Sequence, residues 1–368
     1  MTNFLYILIP AILSIYIWKL IFKHEITLKE MLISAGITLV TSLVLLGGLE
    51  ASKYANMYDT EVLNGLVTGK EQVRVSCRHD YSCNCRMVTS GSGKNATTSM
   101  VCDTCYEHTN DWDWDVHTTV GTSTIDRIDR RGVEEPPRFS EVVVGEPAAN
   151  THSYINYLKG SKDSLFYLPQ ESLKEWEGKI PKYPYVYDYY RSNKVFNGTT
   201  VDAKGYNDYI TNRLRTMGKE KQVNIVVFLT NEKPQFFNAV LTQWGGIKKN
   251  DVFMMFGIKE GKVQWFNSTS FADGMNNKEL HIKMRNNALN KTMELGLLKE
   301  QVDLVESDFT RLPNEKFKYI VENIQPKSWA VLLCIFINLL ITGFVSYNMA
   351  NNYEREGVTR YVRRSRKY

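Results

Sequence analysis

Hydrophobic and polar positions divide the chain into three apolar blocks and one long patterned stretch between the second and third. Phe4 to Trp18 carries no charge and continues past Lys19 to Phe22; Met31 to Leu49 and Trp329 to Tyr347 are likewise uncharged. A bilayer core takes about 20 mostly apolar residues in a helix. The blocks therefore predict transmembrane helices over about 4–22, 31–49 and 328–348. Tyr16, Trp18, Trp329 and Tyr347 lie at block ends, where interfacial aromatics belong. A cleaved signal peptide is the alternative for the first block. Its opening Met-Thr-Asn lacks a basic region, and no small-x-small cleavage site follows.

Between the spans the period changes. Residues 51–72 read as a polar helical stalk, 73–149 as a small cysteine-rich β module, and 150–327 as an α/β domain. Gln222 to Leu229 (QVNIVVFL) and Asp251 to Ile258 (DVFMMFGI) are apolar runs rich in strand formers, and Lys262 to Phe266 follows the second after a Glu-Gly turn. Nearly uniform apolar strands suggest burial on both faces, as in a sheet flanked by helices. Pro234 to Trp244 reads as a helix closed by Gly245 and Gly246. Lys278 to Leu297 and Val302 to Ile324 read as mostly helical. The expected fold class is α/β: three transmembrane helices anchoring an exported α/β sandwich-type domain with the cysteine-rich module.

Charge sets the expected sidedness. Lys19, Lys23 and Lys29 lie in or beside the link between the first two spans, and Arg355, Arg360, Arg363, Arg364, Arg366 and Lys367 lie in the tail at 349–368. Basic loops stay cytoplasmic. Three spans satisfy both clusters if the N-terminus and residues 51–327 are extracytoplasmic. Most of the formal net charge of +5 then belongs to the tail, which can also touch anionic lipid headgroups. No basic stripe remains for nucleic acid.

The candidate chemistry is concentrated in Cys77 to His108. Cys83-x-Cys85 and Cys102-x2-Cys105 form two close pairs, the pattern of a four-thiolate zinc site. Cys77, His79 and His108 are alternate ligands, and the polar loop Thr89 to Ser99 is the expected hairpin tip. Disulfides are the alternative, natural in an exported domain. Five exported cysteines cannot all pair within one chain, which keeps zinc ahead. Either clip would be structural, since so short a segment builds little core of its own. Asp111, Asp113 and Asp115 place three carboxylates on one strand face. Val116 and Thr122 stand where an EF-hand needs Gly and Glu, so a solvated acidic face is expected. Tyr185, Tyr187 and Tyr189, in the run YPYVYDYY, offer a binding surface for sugar or peptide, with ordinary strand packing as the alternative. His117 and His152 have no paired nucleophile in the sequence. Asn338 is expected to join helices within the membrane, and Cys334 to pack there.

Gln222 to Asn267 resembles the TPM domain family of membrane-tethered, extracytoplasmic α/β domains. The resemblance rests on VNIVVFLT, the helix ending WGGI, and KKNDVFMMFGIKEGKVQWF. It covers about 205–310 and implies a strand, a helix closing on Trp-Gly, and a hydrophobic hairpin. Members described as phosphatases or assembly factors suggest Asp251 and Asp273 as metal-binding positions. The layout is also similar to uncharacterised bacterial and phage membrane proteins. The leading expectation is a non-enzymatic membrane protein whose partners are the bilayer and other membrane or envelope proteins. The alternatives are a membrane-bound, metal-dependent phosphatase-like hydrolase and, on homo-oligomerisation, a channel subunit.

Overall fold

The computed structural model describes residues 2–22, 25–55, 57–91, 97–160 and 173–365, and of 352–365 the backbone alone. Lys23, residues 92–96 of the expected hairpin tip, and Arg366 and Lys367 lie outside the described residues. The chain forms two compact units, Met1–Tyr58 with Ile155–Asp163 and Asn314–Tyr368, and Asp59–Tyr154 with Ser164–Pro313.

The first unit contains α1 (Thr2–Ile21), α2 (Leu28–Ala55) and the C-terminal helix Ser328–Ser365. Three segments, Asn3–Ile21, Leu28–Ala55 and Ser328–Asn351, are long and apolar enough to cross a membrane. Thr27 and Glu30 start α2 with a reciprocal cap: the Thr27 amide donates to Glu30 Oε2 at 2.7 Å and the Glu30 amide to Thr27 Oγ1 at 3.3 Å. A polar ladder at four-residue spacing joins α2 to the C-terminal helix. Ser34 meets Ser346 at 3.5 Å, Thr38 meets Thr342 at 3.1 Å, and Asn338 Nδ2 donates to Ser42 Oγ at 2.8 Å. Ascending numbers on one helix pair with descending numbers on the other, so the two helices run antiparallel. Asn338 also donates to the Ile7 carbonyl of α1 at 3.2 Å, the interhelical role expected of it.

The second unit begins differently from the expected helical stalk. α2 stops at Ala55, and residues 58–75 are one long strand, β1 (Tyr58–Val75). Its local spacing of Val62, Leu63, Leu66 and Val67 mimics a helix. Burial decides otherwise: β1 lies between two neighbours in a sheet ordered β5-β4-β1-β6, formed with β4 (Asp111–Thr118), β5 (Gly121–Ile125) and β6 (Pro147–Ile155). Between β1 and β4 the chain leaves this sheet as a two-stranded ribbon, β2 (Asp80–Ser90) and β3 (Thr97–Tyr106). Trp114, Val116, Ile125, Phe139 and Tyr190 supply the core on one face of the sheet.

A short hairpin, β7 (Val186–Tyr187) and β8 (Arg191–Ser192), leads into the α/β half. There a second sheet runs β12-β11-β10-β9, built from β9 (Val195–Asn197), β10 (Asn224–Thr230), β11 (Asp251–Lys259) and β12 (Lys262–Ser270). β9, β10 and β11 are parallel, and β12 returns antiparallel. Every residue of β10 is buried, because side chains on alternate faces enter two cores. Ile225, Val227 and Leu229 pack with α3 (Tyr206–Lys221), α5 (Lys278–Ala288) and α6 (Leu295–Asp308). Val226 and Phe228 pack with α4 (Phe236–Trp244). Gly245 ends α4 in the left-handed conformation at φ 68°, as Trp-Gly-Gly predicts.

A buried polar seam ties β1 to the second sheet. Lys248 Nζ pairs with Asp59 at 2.9 Å, Asn250 Nδ2 donates to the Val62 carbonyl at 2.7 Å, and Asn64 Nδ2 donates to Asn224 Oδ1 at 3.0 Å. The cysteine-rich region and the α/β region thus share one compact unit.

Candidate metal centre

The ribbon accounts for four of the cysteines. Cys83 pairs in register with Asp103 and Arg86 with Val101, so Asn84 and Cys85 together oppose Cys102, a β-bulge. Asn84 takes the left-handed conformation this requires, at φ 46°. Successive strand residues point to opposite faces, so the three-residue step from Cys102 to Cys105 puts those sulfurs on opposite sides. The bulge turns Cys85 to the side of Cys102 and leaves Cys83 on the side of Cys105. Two disulfides result, Cys83–Cys105 and Cys85–Cys102, one on each face. This corrects the expectation of a zinc held by Cys83, Cys85, Cys102 and Cys105. Their sulfurs never converge on one point, and a disulfide sulfur is not a thiolate ligand.

The alternates converge instead. Cys77 and His79 lie in the segment joining β1 to β2. His108 lies in the turn after β3, and Asp111 is the first residue of β4. The ribbon closes at its base through the Glu107 amide on the His79 carbonyl at 3.0 Å, which brings both ends together. One donor atom from each of Cys77, His79, His108 and Asp111 lies within 4.8 Å of all the others. Cys77 Sγ is 3.9 Å from His79 Nδ1 and 3.7 Å from His108 Nδ1. Asp111 Oδ2 is 3.3 Å from His79 Nδ1, and Asp111 Oδ1 is 3.4 Å from His108 Nδ1. Cys77 and Asp111 are buried and the two imidazoles half-buried.

These distances suit a tetrahedral ion. Bonds of about 2.0–2.2 Å to nitrogen and oxygen set those donors about 3.3–3.5 Å apart, and a bond of about 2.3 Å to sulfur sets it about 3.6 Å from nitrogen. A sulfur, two imidazole nitrogens and a carboxylate oxygen form a mixed set of the kind that binds late transition metals. Asp111 Oδ1 is fully buried and accepts no hydrogen bond, although it faces the cluster. The other oxygen is held in place: the Arg78 amide donates to Oδ2 at 3.1 Å and Arg127 Nη1 at 3.0 Å. Burial alone would raise the Asp111 carboxyl. The Arg78 amide, the Arg127 guanidinium and the nearby His79 outweigh it and lower its pKa to about 2. The group is thus a carboxylate over the physiological range, as a ligand must be. This Cys/His/Asp cluster could hold a metal.

Asp111 and Asp113 also correct the expectation of a solvated acidic face. Both are buried, and Arg127 lies between them, reaching Asp113 Oδ1 through Nε at 2.9 Å. Arg78 Nη2 donates to the remaining Asp113 oxygen at 2.7 Å. Asp111 is the candidate ligand that the zinc reading of the sequence missed. Its signal was the His108-x2-Asp111 spacing, masked by the alternating acidic and aromatic run after it.

The tyrosines divide. Tyr185 and Tyr187 are exposed, with ring centroids 6.5 Å apart, and line one cleft with Pro181 and Phe196. Tyr189 is turned away from them and donates to Asp126 Oδ2 at 3.0 Å. His117 contacts Glu71 and His152 contacts Glu61, each at 2.9 Å. Asp251 is fully buried, accepting from Tyr183 and Asn224 at 2.8 Å each. Asp273 is exposed in a left-handed turn. Neither joins a group of metal-capable side chains among the described residues. No family model, curated protein or solved structure matches the chain.

Proposed function

We propose that this is a multi-pass membrane protein whose large unit stands outside the cytoplasm, carries a structural zinc at Cys77, His79, His108 and Asp111, and binds other membrane or envelope proteins. The observation that carries the reading is the four-donor cluster at the base of an exposed ribbon. All four donors come from the chain. A catalytic zinc keeps a position for water, whereas a closed set suits a clip. An isolated two-stranded hairpin is marginal in water, and this one is nearly all exposed on both faces. The metal and the two disulfides replace the core it lacks and keep it rigid as a contact element. Disulfides also agree with the sidedness drawn from the basic link and tail. The order of β10, α4, β11 and β12 fits the reading of the α/β half as TPM-like. Two membrane junctions would raise the unit's local concentration beside membrane-bound partners.

Metal analysis and a thiol count on the full chain in detergent test the reading. We expect one zinc per chain, four cysteines that resist alkylation until reduced, and loss of the zinc in Cys77→Ala and His108→Ala. Asp273→Ala should retain it. A full chain that binds no stoichiometric metal, or that keeps its zinc in both variants, would overturn the assignment. Phosphoester turnover lost on Asp251→Ala would favour the hydrolase over a binding role.

A further inference from the structure

A second site lies within the large unit, away from the metal donors. Glu61 of β1, His152 of β6, Asn250, Lys219 near the end of α3, Lys249 and Arg311 line a cleft of about 380 Å³. Glu61 is 1% exposed, and only one of its oxygens is satisfied. Oε1 takes His152 Nδ1 at 2.9 Å and Lys249 Nζ at 3.0 Å. Oε2 is buried without a hydrogen bond, and Arg311 Nη2 stands 3.6 Å away, beyond hydrogen-bond reach. Asn250 is also 1% exposed; its Nδ2 is committed to the Val62 carbonyl, while its Oδ1 is buried without a partner. Leaving a buried acceptor unpaired is destabilising. Two such atoms on one cleft mark a place for a ligand that donates.

The charges around them ask for the opposite sign as well. Lys219, Lys249 and Arg311 set three fixed positive charges against the single carboxylate of Glu61. Lys249 is held by Glu61 and by the Tyr154 ring, 4.4 Å from its Nζ. Lys219 has no such tie to Glu61, and Arg311, an ion pair of Glu61 at 3.6 Å without a hydrogen bond, keeps its donors for an incoming carboxylate. We propose that this cleft binds a small zwitterion of the amino-acid type, a free amino acid or short peptide. Its ammonium group would donate to Glu61 Oε2 and Asn250 Oδ1, and its carboxylate would meet Arg311 and Lys219. A simple anion would leave both acceptors unpaired, and a simple amine would leave the cationic rim uncompensated. The volume lies at the lower end of small-molecule sites, which suits a ligand of one to three residues.

Titration calorimetry on the full chain in detergent tests this with four probes: glycylglycine, its N-acetyl form, its C-terminal amide, and inorganic phosphate. Glycylglycine should bind at least tenfold more tightly than either blocked form and than phosphate. Glu61→Gln should remove the preference over the N-acetyl form. Arg311→Met, at a half-buried position, and Lys219→Met, at an exposed one, should each remove the preference over the amide, and Lys219→Met should do so without lowering the thermal unfolding midpoint. Equal binding of phosphate and glycylglycine would make the cleft a plain anion site and overturn the proposal. So would the absence of glycylglycine binding, or unchanged selectivity in Arg311→Met.

Discussion

At the scale of the residue, the chain keeps several ionisable groups where water does not reach, and each has a named partner. Lys194 is fully buried and donates to Asn224 Oδ1 at 2.7 Å. Burial lowers its pKa from the usual 10.5 to about 7, with Asp251 pulling weakly the other way. Between those two values the unfolded chain binds more protons than the folded one. Stability must therefore rise with pH across that window, and the penalty is complete below about 7. We expect the thermal midpoint of the full chain to climb from pH 7 to pH 9.5, and the climb to flatten in Lys194→Met. An equal slope in both proteins would show that Lys194 is not its source. His281, half-buried between Ser268 Oγ at 2.8 Å and Ser270 Oγ at 3.1 Å, is held near 4 by desolvation. It adds a loss of stability as pH falls from the ordinary imidazole range toward that value. None of these groups stands out in the sequence, where a lysine in RSNKVF and a histidine in KELHIKM read as surface residues.

At the scale of the element, close approach decides where glycine and small polar residues stand. Gly218 lies on the face of α3 that meets β1; a Cβ there would come within 2.5 Å of the Asn64 carbonyl oxygen and 2.9 Å of its carbon. The obstacle is backbone, so Gly218→Ala should cost about 1–3 kcal/mol, measured by chemical unfolding of the full chain. A neutral result would mean that helix and strand can separate freely. In the long apolar helices, Asn338→Leu removes one rung of the polar ladder and leaves Ser42 Oγ without its donor. Interhelical hydrogen bonds of this kind are worth about 0.6–2 kcal/mol, and a steric-trap measurement in bicelles would read the loss. Legibility differed sharply between elements. The strands β10 and β11 and the three apolar helices could be read from their patterns, because near-uniform apolar runs leave a plain signature; β12 and α4 could be read from the Glu-Gly turn and the Trp-Gly-Gly stop beside them. β1 could not, because its buried positions include polar Asp59, Glu61 and Asn64, which only distant partners explain: Lys248 for Asp59, Asn224 for Asn64, and His152 with Lys249 for Glu61. The disulfide pairing was hidden for another reason: a single bulge at Asn84 reverses which side Cys85 faces, and no spacing rule anticipates a bulge.

At the scale of the whole molecule, the two compact units carry different kinds of order. One is three long helices joined by a polar ladder; the other holds both sheets, the ribbon and the metal donors. Residues of the candidate centre were legible as a neighbourhood, since Cys77, His79 and His108 stood among the alternates. Their division into bridges and ligands was not, because it depends on the ribbon folding back on itself. The zwitterion cleft was invisible in sequence, as Glu61, His152, Lys249 and Arg311 come from four distant places. If the proposed zinc is bound, a chelator should lower the thermal midpoint of the full chain and leave the far-ultraviolet spectrum of its helices unchanged. A midpoint indifferent to chelator would mean that the ribbon stands without its clamp.

The disulfides and the metal donors are nested along the chain: Cys85–Cys102 lies inside Cys83–Cys105, and both lie inside the span from Cys77 to Asp111. Through the backbone alone, about 29 residues separate His79 from His108; through the outer bridge the path is about eight. Closing the longer path around an ion costs about 1 kcal/mol more in chain entropy, which is about sevenfold in affinity. The affinity of an ion bound there would therefore report the oxidation state of the outer bridge, a bond outside its donor set. By linkage, such an ion would make that bridge harder to reduce.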